Sequence, residues 1–206
     1  MMSRRLEFQK MFAVGKLVNI GCGEDPCGFG ERATHVDLDV YNHPNFVRAD
    51  AHNLPFGDLS FDTAILGDML EHVPDPARVL SEAARVARTI VVTIYEEWRL
   101  PQEGLNLGIE GAEMYDKGLA EMGHANLWDY FQSLPSHKDC IVSITPDDEL
   151  SHHPHIQQFT QESLEQIIED AGLEPFIFSK FQEGVHEGRP TYNWLLVARR
   201  KENGGD

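Results

Sequence analysis

No stretch of this chain approaches the roughly 20 consecutive apolar residues that a membrane-crossing helix needs. The opening Met1-Met2-Ser3-Arg4-Arg5 has the positive start of a signal peptide, but Glu7, Gln9 and Lys10 interrupt any apolar stretch behind it. No targeting segment is therefore expected, and the cytoplasm is the expected location. Cysteine is scarce. Cys22, Cys27 and Cys140 are an odd, sparse set, which excludes a disulfide framework, and the first two lack the Cys-x-x-Cys spacing of a zinc site. Cations are scarce too: 17 Lys and Arg stand against 34 Asp and Glu, a formal net charge of -17. An average field of that sign repels nucleic acid and anionic membrane surfaces, and no Lys/Arg run relieves it. Neither is expected as a partner. A small-molecule substrate, or a neutral to cationic partner, fits better. Internal repeats and low-complexity tracts are also lacking.

What is present reads as alternating strands and helices. Lys16-Leu17-Val18-Asn19-Ile20 is a short apolar run stopped by Gly21-Cys22-Gly23, a buried strand entering a tight turn. Thr34–Leu38, Phe46–Ala49 and Phe61–Leu66 give three more strands. A helix is expected from about Pro76 to Ala87. Asp75 is placed to cap it and Pro76 suits its first turn, while Val79, Leu80, Ala83, Ala84, Val86 and Ala87 form its apolar face. Ile90–Tyr95 is a β-branched fifth strand. A second helix starts at Thr160 with Leu164, Ile167, Ile168 and Ala171 on one face, and ends at Gly172. Strands near Pro175–Phe181 and Tyr192–Arg199 follow, joined by a segment, Gln182 to Pro190, that is long for a hairpin. Lys201–Asp206 reads as a frayed tail.

Alternating strands and helices imply an α/β fold with a mostly parallel sheet. Only about a dozen residues separate the glycine turn from the second strand, so the first crossover helix is very short or absent. Residues 96–156 form a long irregular stretch after the fifth strand, which is expected to be an inserted substrate lid within one domain spanning residues 1–206.

In open α/β sheets ligands sit at the carboxyl ends of the strands. Here those ends carry Gly21-Cys22-Gly23, Asp37, Asp50-Ala51 and Leu66-Gly67-Asp68. Each alone is unremarkable, since a Gly-x-Gly is often only a turn and a terminal Asp only a cap. Their order carries the weight. A dinucleotide site needs a third glycine for helix–strand packing, and that position holds Pro26. A nucleotide-dependent oxidoreductase is disfavoured on that ground.

The run Val18-Asn19-Ile20-Gly21-Cys22-Gly23 resembles the first motif of class I S-adenosylmethionine-dependent methyltransferases, and His35-Val36-Asp37 the acidic end of their second strand. Ala49-Asp50-Ala51-His52-Asn53-Leu54-Pro55-Phe56, Ser60-Phe61-Asp62 and Leu70-Glu71-His72-Val73-Pro74-Asp75-Pro76 are similar to the signature of the type-11 subgroup, which methylates small molecules. The resemblance covers residues 16–95 and resumes near Phe159-Thr160. It implies a Rossmann-like seven-stranded, mostly parallel sheet and an S-adenosyl-L-methionine cofactor. Gly21, Cys22 and Gly23 would lie against the methionine part, Asp37 and Leu38 by the ribose, and Asp50 and Ala51 by the adenine. Leu66 and Gly67 would offer backbone. Two departures stand out: Asn19 occupies the place of an acidic residue, and the Pro-Gly-Gly turn before strand five is missing. The short first crossover resembles members found among polysaccharide-modifying enzymes.

Methyl transfer is an in-line displacement in which the protein aligns and desolvates the nucleophile. A base is needed only where the acceptor must lose a proton. His153 and His155, beside Asp147, Asp148 and Glu149, are candidates, and so is His72. Asp68, Glu71 and His72 have the residue types of a divalent-metal site and resemble a cluster in quinone-pathway O-methyltransferases; the plain alternative is a structural turn before the helix. Trp98, Tyr115, Trp128, Tyr130 and Phe131 supply either a stacking surface for substrate or a small core within the lid. The expected activity is methyl transfer to oxygen or nitrogen of a small molecule such as a sugar, a quinone-like compound or a natural product. The alternative, kept open by Asn19 and the missing turn, is a catalytically silent domain that binds cofactor or a partner.

Overall fold

A computed structural model describes residues 3–96, 159–186 and 189–201. The elements in chain order are α1 (Arg4–Phe12), β1 (Leu17–Ile20), β2 (Ala33–Asp37), β3 (Phe46–Arg48), β4 (Phe61–Gly67), α2 (Pro76–Val86), β5 (Ala87–Glu96), α3 (Gln161–Asp170), β6 (Leu173–His186) and β7 (Arg189–Arg200). The seven strands form one sheet in the order β3-β2-β1-β4-β5-β7-β6. The neighbours from β3 to β5 pair in parallel, and β7 lies antiparallel between β5 and β6. This is the Rossmann-like, mostly parallel sheet expected from the sequence.

All four residues of β1 are buried, as a central parallel strand covered on both faces requires. On one face Val18, Ile20, Ala64, Leu66, Ile90 and Val92 pack under α2 and α3. On the other, Leu17, Ile65, Val91, Leu195 and Val197 meet Leu6, Phe8 and Phe12 of α1, with Cys27 and Phe29 filling in. The caps work as the residue types dictate. The Asp75 carboxylate accepts the Arg78 N–H at 2.9 Å. Thr160 and Ser163 exchange bonds at 3.2 and 2.9 Å, a reciprocal cap at the start of α3.

Residues 21–32 contain only a single 3-10 turn, Gly30–Arg32, so the first crossover lacks an α-helix as its length implied. α2 runs directly into β5, which explains why no turn motif precedes that strand. The last two strands correct the sequence reading. The stretch that looked like a long linker is mostly paired ladder, reaching His186↔Arg189, with irregularities at Pro175/Ile177 and Gln182/Gly184. α1 was not anticipated, because its apolar residues follow no helical stripe and its most buried side chain is Gln9. Among the described residues no helix is long and apolar enough to cross a membrane. The expected lid, residues 96–156, lies outside the described residues apart from the Glu96 backbone.

A buried staple ties the segment after β3 to α2. Glu82 accepts the Leu54 N–H at 3.0 Å and two bonds from Arg85, and Arg85 donates onward to the carbonyls of Leu54 and Phe56 at 3.0 and 2.7 Å. Arg85 holds the Glu82 carboxyl below the usual carboxylate range against the opposing effect of burial, with the Leu54 N–H assisting. This fixes the loop that follows Asp50.

Candidate functional site

The carboxyl ends of β1, β2 and β4 meet around the glycine turn. The N–H groups of Gly21 and Cys22 both donate to the Val36 carbonyl, at 2.9 and 3.1 Å. Gly21 has φ +66°, and a β-carbon there would stand 2.9 Å from Met69 Cβ, so a side chain is excluded twice over. Gly23, at φ +46°, has open space where a β-carbon would go. That space is the cradle. The Asp37 carboxylate borders it, accepting the N–H of Gly23 at 3.0 Å on one oxygen and that of Asp39 at 3.1 Å on the other. An ionised carboxylate accepts about four hydrogen bonds, so capacity remains for a ligand diol. Asp37 was expected here; His43 was not. Its Nε2–H donates to the Gly23 carbonyl at 2.6 Å, and its ring sits between those of His35 and Tyr41, with centroids 4.8 and 5.8 Å away. Nothing in its local sequence marks it, because its partner lies 20 residues earlier.

The field at this turn is negative. The Cys22 thiol is pushed up to about 12, first by burial and then by Asp37, Asp25 and Glu24, outweighing its own backbone bond. The Tyr41 hydroxyl is raised by burial and then by Asp37, Asp39 and Glu24. A pyrophosphate would meet several carboxylates and no helix N-terminus; a neutral diol or a cation suits the same atoms.

Beside Gly21, a small recess of about 20 Å³ is lined by Arg5, Gln9, Asn19, Gly21, Cys22 and Gly67, with Pro26 and Cys27. Asn19 Nδ2 donates to Asp25 Oδ1 at 3.4 Å, and Asp25 Oδ2 accepts the Gly30 N–H at 3.0 Å. Gln9 joins the recess to β5, donating to Thr93 Oγ1 at 2.7 Å and accepting from Cys27 Sγ at 2.8 Å. Burial pushes the Cys27 thiol up to about 11, partly offset by Lys10.

The other sequence-selected residues are placed as follows. Leu38 is exposed beside Asp37, and the Leu66 side chain is wholly in the core, so only its backbone can face a ligand. Asp50 accepts from the N–H and Nδ1–H of His52 at 2.9 and 2.6 Å, with Ala51 buried behind it. Asp68, Glu71 and His72 do not converge as metal ligands. The Asp68 carboxylate is taken by Arg5, by Thr93 at 2.7 Å and by Asn193 at 3.1 Å. Glu71 is turned into the core and accepts the Tyr95 N–H at 2.8 Å, while His72 sits in the 3-10 turn Leu70–His72. Among the described residues no group of three His, Cys, Asp or Glu is placed to hold a metal. Protein donors already engage the Asp68 carboxylate and one oxygen of Glu71. His153 and His155 lie outside the described residues. At the opposite end of the sheet, Arg85, Arg88, Arg199, Arg200 and Lys201 surround a groove of about 450 Å³, a gathering of cations no sequence run announced. Three of them are already paired, Arg85 with Glu82 and Asp58, Arg88 with Asp62 and Arg199 with Glu174.

Residues 27–90 match the family described as a methyltransferase domain. An uncharacterized methyltransferase of Mycobacterium sp. (strain JLS) is 32% identical over 133 residues, covering 62% of this chain and 51% of that protein. The chain thus spans about half the length of the relatives it matches. A SAM-dependent methyltransferase from Methanosarcina mazei superposes with a TM-score of 0.57 at 17% identity, over 90% of this chain and 92% of that one. The 1,6-didemethyltoxoflavin-N1-methyltransferase of Burkholderia thailandensis, solved with bound 1,6-didemethyltoxoflavin and S-adenosylhomocysteine, superposes with a TM-score of 0.59 at 15% identity, over 96% of this chain and 76% of that one. At these identities the likeness to solved structures is one of fold.

Proposed function

We propose, from the premise that this chain is built on the class I S-adenosylmethionine-dependent methyltransferase domain, that it binds S-adenosylmethionine at the carboxyl ends of β1 and β2 and directs its methyl group to oxygen or nitrogen of a small molecule. The observation that carries the reading is the acidic, helix-free cradle: Asp37 bonded to the Gly23 N–H beside open backbone, in a negative field that suits a sulfonium nucleoside and opposes a pyrophosphate.

In this reading Asp37 receives the ribose hydroxyls and Leu38 covers the adjoining ring. Asp50 and Ala51 border the adenine, and the backbone of Gly21, Cys22, Gly23, Leu66 and Gly67 lines the sulfonium end. When bound, the cofactor supplies an activated methyl group, so the chain's own task is alignment and exclusion of water. Residues 96–156 serve as the substrate lid in this reading. His153, His155 or His72 takes a proton where the acceptor must lose one. The formal charge of -17 favours neutral or cationic acceptors over polyanions, and sugars, quinone-like compounds and natural products stay within that class.

Calorimetric titration with S-adenosylmethionine, S-adenosylhomocysteine and NAD tests this. Binding of the first two and not the third is expected, with Asp37→Ala weakening both at least about tenfold, the loss of a charge-assisted bond. Tight NAD binding with no response to the other two sinks the proposal, and an unaltered Asp37→Ala overturns the ribose assignment.

A further inference from the structure

At the amino ends of β4 and β5, across the sheet from the glycine turn, the groove of about 450 Å³ sets Arg85, Arg88, Arg199, Arg200 and Lys201 against one carboxylate in its lining, Asp58. So many cations in one place run against the chain's balance of 17 Lys and Arg to 34 Asp and Glu. They are not equivalent. Arg85 belongs to the fold: Glu82, Asp58 and the carbonyls of Leu54 and Phe56 take all five of its donors. Arg199 is held on Glu174 at 2.9 and 2.8 Å. Arg88 meets Asp62 only at 3.9 Å, too far for a hydrogen bond. Arg200 and Lys201 make no ion pair among the described residues. Arg88, Arg200 and Lys201, all exposed, thus keep donors for a group outside the chain.

Leu59 lies in the same lining, with φ +52°. The other non-glycine residues at positive φ among those described are Asp25, Asn45 and Asp68, whose short polar side chains tolerate that region; a leucine has no such ease. Burial does not account for it either, because Leu59 remains 49% exposed. Its N–H donates to the Arg85 carbonyl at 2.8 Å, which ties the strained turn to the end of α2. A backbone held in an unfavourable conformation with its apolar side chain in solvent points to a contact made with a partner.

We infer that this groove docks a short acidic segment of a partner protein, its carboxylates on Arg88, Arg200 and Lys201 and one apolar side chain against Leu59. Nucleic acid fits less well. It extends over several Debye lengths, about 8 Å each at physiological salt, and so meets the formal charge of -17 as well as the groove; a short segment meets the groove alone. Among the described residues no aromatic ring lines the groove for bases to stack on. The inference is independent of the cofactor reading, since none of these residues borders the glycine turn.

Fluorescence anisotropy with labelled probes tests it on the full chain: a peptide of glutamates on both sides of one leucine, the same peptide with glycine for leucine, its lysine counterpart, and a short oligothymidylate. The acidic leucine peptide is expected to bind, more weakly as salt rises, and the lysine peptide not to bind. Glycine for leucine in the peptide should weaken it at least about threefold. Arg200→Glu with Lys201→Glu should weaken it at least about tenfold. Leu59→Gly should weaken it about three- to tenfold while Tm holds or rises, because glycine takes a positive φ without strain; a leucine needed only by the fold would lower Tm and leave binding alone. Absence of acidic-peptide binding overturns the inference. So does binding that the double charge reversal or Leu59→Gly leaves within about twofold, or tighter binding of the oligothymidylate than of the peptide. Should the double reversal fail to fold, Arg88→Gln with Lys201→Gln must weaken the peptide at least about fivefold or the inference falls.

Discussion

The imidazole of His43 donates to the carbonyl of Gly23 across 2.6 Å, closing a 20-residue loop onto the glycine turn. In a longer first crossover, a helix following the turn would hold it in place. Here residues 21–32 have no α-helix, and the turn is held from outside, by His43 on its carbonyl and Asp37 on its N–H. On the proposed cofactor reading, replacing His43 by Ala should lower S-adenosylhomocysteine affinity about five- to tenfold, the worth of one buried hydrogen bond, while leaving the fold intact. Calorimetry alongside circular dichroism checks this, and unchanged affinity would show that Asp37 alone suffices.

Gly67 allows α1 to dock. A β-carbon on residue 67 would stand 2.6 Å from Gln9 Nε2, and Gln9 is itself fixed by Thr93 and Cys27. Gly67→Ala is expected to cost about 1–3 kcal/mol through overpacking. In a chain of this size that lowers Tm by roughly 2–4 °C per kcal/mol. Differential scanning fluorimetry would register the shift, and an unaltered Tm would mean that α1 yields freely.

Acid should loosen the Glu82 staple. Its folded pKa is depressed, first by Arg85, so it contributes stability that is fully present above the unfolded carboxylate value and is lost as pH falls through the folded one. Glu82→Gln should thus destabilise the protein by about 2–3 kcal/mol at pH 7, below the ~3–5 kcal/mol of a wholly buried pair because Arg85 is partly exposed, and by progressively less below about pH 4. Urea denaturation at both pH values measures the difference. A pH-independent gap would argue that the charge of Glu82 is unimportant.

Cys22 and Cys27 should resist alkylation at neutral pH in the native protein. With thiols pushed up to about 12 and about 11, their thiolate fractions at pH 7.5 fall well below about 1%. Peptide mapping after iodoacetamide treatment is expected to find both unmodified until urea is added. Rapid native labelling of Cys22 would contradict the negative field drawn around the glycine turn.

Much of this was legible from residues that are neighbours in the chain. Asp75 before Pro76 and Thr160 before the apolar face of α3 announced their helices, because a cap bonds within three residues. The buried run Leu17–Ile20 and the β-branched stretch in β5 read as central strands for the same local reason. α1 escaped, since Gln9 is buried for a polar partner on a distant strand and not for an apolar stripe. The ends of β6 and β7 escaped as well. Gln182, Glu183 and Gly184 look like loop residues and become strand only by pairing with β7.

The sequence by itself determined the alternation of strands and helices, a first crossover helix that is very short or absent, and the order of small and acidic residues at the strand ends. Each follows from periodicity, length and turn chemistry over a few residues. Only the tertiary structure decided what those acids do. Asp68 looked free to bind a metal until Arg5, 63 residues earlier, and Asn193, 125 residues later, were brought to it. Asp37 and His43 meet on opposite sides of Gly23 only because β2 lies beside β1. A carboxylate's role depends on which donors surround it, and the sheet order, not the local sequence, assembles those donors.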